Sequence, residues 1–304
     1  MRVAITGSTG LIGSALARSL ADSGDSVLRL VRTQPASADE VRWDPGSPAG
    51  GLTRADLDGV DAVVHLAGAP VAGGRWTAER KQVLRASRID STAAIVAAMT
   101  AANVPVLLAG SAIGWYGDTG DQIVDETAPA GRGFLASLVS DWEAATEPAS
   151  AAGIRVANLR SGIVLSARGG MLPQLLLPFR LGLGAKFGSG AQYVSWIALA
   201  DHVAAMRYLL DRDELRGPVN LTAPHPVTNG QLTKTLAATL RRPALFTVPG
   251  GALRLALGEM STELLGSCRA RPARLEEAGF AFRYPQLGPA LAAAIGDQHG
   301  APAG

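Results

Sequence analysis

Three glycines at three-residue spacing, in Gly7-Ser8-Thr9-Gly10-Leu11-Ile12-Gly13, separate the apolar run Val3-Ala4-Ile5 from a stretch of helical apolar spacing over 11–22. This junction constrains the fold more than any other feature of the chain. A glycine trio that closes a strand and opens a helix is the turn that cradles a dinucleotide pyrophosphate. The first glycine permits the tight turn and the second lets phosphate approach the backbone. The third lets helix pack on strand, and the helix N-terminus faces the anion. Thr9, Leu11 and Ile12 complete the loop. The competing reading is a purely structural glycine turn. Gly24 at a helix C-cap position and a second strand over 27–31 supply the context that favours the cofactor loop.

Arg32 ends that second strand, and Leu30-Val31-Arg32-Thr33 contains no acid. An acidic residue here would bind a ribose 2′-hydroxyl, whereas an arginine accommodates a 2′-phosphate. The expected cofactor is therefore NADP(H). A solvated surface arginine is the bland alternative.

Beyond this unit, strands are expected at 61–66, 104–109 and 154–159, and helices at 78–102 and 134–152. Strands alternating with helices imply a doubly wound parallel sheet, so the fold class is α/β. The composition shifts after about Gly169, with a Leu-, Pro- and Gly-rich stretch over 172–190. Helices at 200–210, 229–240 and 252–266, a short strand at 218–221 and helix signals over 272–295 come after it. The expected organisation is a nucleotide-binding region over 1–168 and a smaller α-rich C-terminal region over 169–300, partly interleaved with it and capping it. Residues 299–304 are expected to be loose.

Composition narrows the function classes. Hydrophobic residues make up 47% and charged residues 18%, which suits a globular chain able to bury a core. The formal net charge is +2 with no Lys/Arg run, so a nucleic-acid surface is not expected. Cys268 is the single cysteine, which rules out an internal disulfide. No metal site is expected, and the lone His65 reads as structural. The first residues lead directly into the glycine loop, and apolar stretches stop short of membrane-spanning length. The expectation is a soluble cytoplasmic protein, monomer or homodimer, with no membrane partner.

Several residues fall where ligands of such sheets bind, outside the carboxyl ends of strands. Leu66-Ala67-Gly68, closing a strand, are small enough to pass near the adenosine side of a cofactor. Ser111 and Tyr116 lie just after the 104–109 strand, and a hydroxyl and a phenol there can hydrogen-bond a substrate oxygen. They are the candidate catalytic pair, with local backbone bonding as the alternative. Arg88 lies on the long helix and Arg160 at a strand end, each able to pair with a phosphate or to make a structural ion pair. The glycine-rich 182–190 stretch and the adjoining 192–196 can form a lid or a plain connection. Trp196 reads as a core aromatic and Asp201 as lying near a helix N-terminus.

A family resemblance spans nearly the whole chain. The segments TGSTGLIG (6–13), VRTQ (31–34), VRWDP (41–45), HLAG (65–68), SRIDST (87–92), SAIGWYGD (111–118), FLASLVSDWE (134–143) and LRSGIVL (159–165) carry it, with GGMLPQLLLPFRLGLGAKFGSGAQYVSWI (169–197), NLTAPHPVTN (220–229), LGE (257–259) and RPARLEEAGFAFRYPQLGPAL (271–291). Together they resemble the extended or atypical branch of the short-chain dehydrogenase/reductase superfamily. More narrowly, they resemble the NAD-dependent epimerase/dehydratase-like epimerase family proteins that carry their own C-terminal domain. The resemblance implies a Rossmann-like fold and NADP binding, with Gly7, Gly10, Gly13, Arg32, Leu66, Ala67, Arg88 and Arg160 at or near the cofactor.

The chain departs from the superfamily pattern at one place that bears on catalysis. Catalytic members of the superfamily use Tyr-x-x-x-Lys on the helix after the serine loop. Here Phe134 pairs with Leu138 in one register, and Leu135 with Val139 in the other. Two functions stay open: an oxidoreductase or epimerase acting on a carbonyl or hydroxyl of a small molecule or nucleotide-linked sugar, and a non-catalytic NADP(H) sensor or scaffold.

Overall fold

In the computed structural model, residues 1–72 and 74–296 are described, so the expected loose segment at 299–304 lies outside the described residues. The first elements are β1 (Arg2–Thr6), α1 (Leu11–Ala21), β2 (Ser26–Val31), β3 (Glu40–Arg42), β4 (Ala62–His65), α2 (Ala78–Ala102), β5 (Val106–Ala112) and α3 (Phe134–Ala144); the sequence pattern does not mark β3. Thr77 caps α2 by accepting from the Arg80 N–H, and Asn103 ends it in the left-handed conformation at φ 58°.

A seven-stranded sheet runs in the order Gly217–Leu221, Arg155–Ser161, β5, β4, β1, β2, β3. All its pairings are parallel. Strand order reverses between β1 and β4, which opens a crevice at their carboxyl ends. The sheet buries both faces, and alternation along β1 shows how. Val3 and Ile5 join Leu16 and Leu20 of α1 and Met206 and Leu209 of the helix Leu199–Leu210. Ala4 faces Ile95 and Met99 of α2 on the other side. Parallel strands covered on both faces read as continuous apolar runs, which is why β4 and β5 were legible.

The last sheet strand, Gly217–Leu221, and the helix Leu199–Leu210 both lie beyond residue 168, so the second region is threaded through the first. The rest of that region has its own core. Leu172, Leu176 and Phe179 pack with Trp196, Leu232, Leu236, Leu287 and Leu291. Trp196 is fully buried and donates from Nε1 to the His225 carbonyl at 3.1 Å.

Three boundaries differ from the sequence reading. The stretch 172–190 begins with a helix, Leu172–Arg180, despite Pro178 inside it. The expected helix 134–152 breaks after Ala144 and resumes at Glu147–Ala151. Pro148 supplies no N–H there, and the Thr146 hydroxyl donates to the Glu143 carbonyl. The expected helix 252–266 is divided at Gly258, whose φ is +60°.

Candidate cofactor and active site

The glycine loop holds the geometry that only glycines permit. Gly7 sits at φ +67°, and a Cβ there would lie 3.0 Å from the Leu66 carbonyl carbon and oxygen. The chains leaving β1 and β4 thus touch at the switch point. A Cβ on Gly13 would lie 2.3 Å from the Gly7 carbonyl oxygen, so only glycine lets α1 pack onto the turn. Gly10 donates to that same oxygen at 2.9 Å. Thr9 and Gly10 are exposed, Leu11 and Ile12 half-buried. The Ser8 Oγ is buried with no hydrogen-bond partner among the described residues. An orphan hydroxyl in a cradle that any side chain would fill fits a bound pyrophosphate. Arg32 is exposed at the end of β2, with no ion-pair partner among the described residues.

His65 is structural, and its proton can be placed from the network. Thr6 Oγ1 accepts from the Leu66 and Ala67 N–H groups at 3.0 and 3.2 Å. Its own hydrogen therefore goes to His65 Nδ1, 2.8 Å away. His65 Nε2–H then donates to Ser91 Oγ at 3.2 Å, and Ser91 donates to the Ser87 carbonyl at 2.8 Å. Burial pushes the imidazole down to about 4, so it is neutral at physiological pH. This relay fixes Leu66 and Ala67 against the glycine loop.

Arg88 of α2 points under Gly68, with its Cζ 3.4 Å from where a glycine Cβ would stand. It lies 9% exposed and stacks on Trp142 at 5.1 Å. It donates to the Leu84 carbonyl and, more weakly, to Ser87 Oγ. No carboxylate pairs with it among the described residues, and burial lowers its pKa to about 10. A buried guanidinium without a counter-ion could hold an anion.

Ser111, Tyr116 and Arg160 form one connected network, built around a residue that sequence reasoning missed. Glu143, on α3, accepts from Ser111 Oγ at 2.6 Å. It also takes both arms of the Arg160 guanidinium, Nε and Nη2, at 2.8 Å each. Arg160 Nη1 donates to the Tyr116 hydroxyl at 3.1 Å, and Tyr116 donates to Asn220 Oδ1 at 2.7 Å. Asn220 in turn donates to the Arg271 carbonyl at 2.8 Å. The Arg160 guanidinium also stacks on Trp115 at 3.9 Å.

Of the two pairings open to Arg160, a phosphate and a structural ion pair, the structure shows the ion pair: its side chain is 2% exposed and bonded to Glu143 and Tyr116. Tyr116, the other half of the candidate catalytic pair, is 4% exposed, and burial pushes its pKa up to about 12. Such a phenol keeps its proton and positions Arg160.

The structure also resolves the register of α3. Leu135 and Val139 pack on Gly114, against the loop after β5; Phe134 and Leu138 pack with Trp76 and Leu84, a cluster that Leu135 also reaches. An apolar wall therefore occupies the side of the loop where a proton-transfer pair was sought. The 182–196 segment is tied down rather than free. Ala185–Phe187 pairs with Phe246–Val248, and Gln192 Nε2 donates to the Phe187 and Leu264 carbonyls. Further along, Arg75 donates to the Leu255 and Ala256 carbonyls, and Lys81 pairs with Glu259. The C-terminal helices thus rest on the loop after β4. No group of His, Cys, Asp and Glu suited to a metal, and no helix long and apolar enough to cross a membrane, occurs among the described residues.

Comparison with known proteins agrees with this architecture. Residues 3–221 match the NAD dependent epimerase/dehydratase family, and residues 248–294 match a domain of unknown function, DUF1731. An epimerase family protein of Mycobacterium bovis is 48% identical over 290 residues, covering 95% of this chain and 96% of that one. The crystal structure of the human epimerase family protein SDR39U1 with NADPH superposes with a TM-score of 0.88 at 30% identity, covering 98% of this chain and all of that one. A nucleoside-diphosphate sugar epimerase from Corynebacterium glutamicum gives 0.81 at 37% identity, covering 98% of this chain and 58% of that one. The glycine loop at the switch point, the serine at the end of β5 and these matches along the chain place it in one group: it belongs to the NAD-dependent epimerase/dehydratase family, among the epimerase family proteins of the short-chain dehydrogenase/reductase superfamily.

Proposed function

We propose that this protein binds NADP(H) and interconverts a carbonyl and a hydroxyl on a small molecule or nucleotide-linked sugar. The observation that carries this reading is the glycine loop at the carboxyl ends of β1 and β4, on the same edge of the sheet as Ser111 at the end of β5. Gly7, Thr9, Gly10, Leu11, Ile12 and Gly13 would hold the pyrophosphate, and Leu66, Ala67 and Gly68 the adenosine side. The exposed Arg32 would take the 2′-phosphate and the uncompensated Arg88 an anionic oxygen. Arg32 and the NADPH in the human relative support NADP(H) over NAD. When bound, the nicotinamide gives or takes a hydride.

Ser111 and Glu143 handle the proton. Ser111 spends its hydrogen on Glu143, so its lone pairs accept from a substrate hydroxyl. In oxidation the substrate proton moves to Ser111 Oγ while the Ser111 proton moves to Glu143 Oε1; reduction runs the same path backwards. Arg160 orients the carboxylate, and Tyr116 and Trp115 hold Arg160. Leu135 and Val139 keep water from that side of the loop.

The test is NADPH oxidation across a panel of aldehydes, ketones and keto-sugar nucleotides. Ser111→Ala and Glu143→Gln should each lower kcat at least a hundredfold on an accepted substrate, leaving the Kd for NADPH within threefold. Tight NADPH binding with no oxidation across the panel would overturn the enzymatic reading. It would favour the sensor or scaffold, the reading to which Leu135 and Val139 in place of a Tyr–Lys pair lend support.

A further inference from the structure

A second cavity, of about 550 Å³, lies between α1, the 165–168 segment, the start of the helix Leu199–Leu210 and the helix Leu287–Gly296. None of the glycine-loop, Arg32, Arg88 or Ser111 residues lines it. The 165–170 segment separates the two regions, since Gly169 and Gly170 pack on the Leu11 side chain.

Three arginines from distant parts of the chain, Arg18, Arg168 and Arg283, line this cavity, and all three are exposed at its open side. No carboxylate lines it among the described residues, and none of the three arginines has an ion-pair partner among them. Asp201 attracts Arg283 at a distance, while its two oxygens accept from the Arg283 and Tyr284 backbone N–H groups at 2.8 and 2.9 Å. The remaining lining is largely apolar and small, with Ala15, Ala290, Ala293 and Ala294 forming much of the wall. Three positive side chains lining one cavity favour the entry of an anion. Guanidinium groups match phosphate oxygens two at a time, and the alanine wall matches an apolar body.

We propose that this cavity is a second binding site, separate from the dinucleotide crevice, for a phosphate monoester that carries an apolar group. The phosphate would meet the arginines, and the apolar group would lie on the alanines. The site is independent of the oxidation and reduction proposed for the dinucleotide crevice.

Isothermal titration with 2-naphthyl phosphate, at saturating NADPH, tests it. The expected result is saturable one-to-one binding, at least tenfold weaker in Arg18→Gln/Arg168→Gln and in Ala293→Trp, which fills the wall. 2-Naphthol and inorganic phosphate, each lacking one half of the ligand, should each bind at least tenfold more weakly than the ester. NADPH titrations of both variants should match the wild type, which also reports that they fold. Absence of saturable binding overturns the proposal, as do undiminished binding in the double arginine variant and displacement of the ester by NADPH. Inorganic phosphate binding as tightly as the ester overturns the apolar half of the assignment. The surface arginine variant decides the matter even if Ala293→Trp does not fold.

Discussion

Glu143→Leu should destabilise the fold far more than loss of a surface ion pair. The Arg160 side chain is 2% exposed and Glu143 10%, so truncating the carboxylate leaves a guanidinium buried and unpaired. Two charge-assisted bonds of 2.8 Å vanish, as does the 2.6 Å bond from Ser111. Breaking a buried pair from one side costs about 3–5 kcal/mol, whereas exposed pairs are worth about 0–1 kcal/mol. Urea unfolding monitored by circular dichroism reads this as a midpoint lowered by about 1 M or more. Arg160→Met should cost a similar amount, because it strands Glu143. The double variant removes both charges together and should be more stable than either single one. Losses under about 1 kcal/mol in the single variants, or costs that simply add in the double, would refute the claim that these two residues form one buried unit.

Two further perturbations test other parts of the structure. Gly13→Ala puts a methyl 2.3 Å from the Gly7 carbonyl oxygen, so α1 must move; thermal denaturation should show a loss of about 1–3 kcal/mol, and calorimetry a weaker NADPH affinity. His65 and His202 are both buried and held at about 4 against an ordinary 6.5, so the unfolded chain binds protons that the folded one does not. Stability should therefore be full above pH 6.5 and fall as pH drops towards 4, by roughly 3 kcal/mol per histidine. Unfolding free energies measured across that window should show the slope, and His65→Gln should remove the share due to His65.

The parts of the fold legible in the sequence were those set by local pattern. The glycine loop announces itself because three positions each need glycine for a separate steric reason, and α2 because its apolar spacing persists over 78–102. The buried strands β4 and β5 stand out as uninterrupted apolar runs. The Glu143 network was not legible, because its contacts span 17 to 104 residues of sequence. Nothing in FLASLVSDWE marks Glu143 as facing inward, and Arg160 looks equally fit for a phosphate until its partner is seen. The missing Tyr–Lys pair was visible in the sequence, but not which register faces the loop. The packing of Leu135 and Val139 on Gly114 decided that. Ser8 gave no signal either, since an orphan hydroxyl is recognisable only once its burial is known.

The crevice beside Gly7 is proposed to hold a dinucleotide, and Arg32 to select its phosphorylated form. Fluorescence titration of the purified protein with NADPH and with NADH tests both halves at once. The expected result is saturable binding of NADPH, at least tenfold tighter than NADH, and a gap that narrows or reverses in Arg32→Asp. Equal affinities for the two cofactors in the wild type would contradict the role of Arg32, and no saturable binding of either would contradict the site itself.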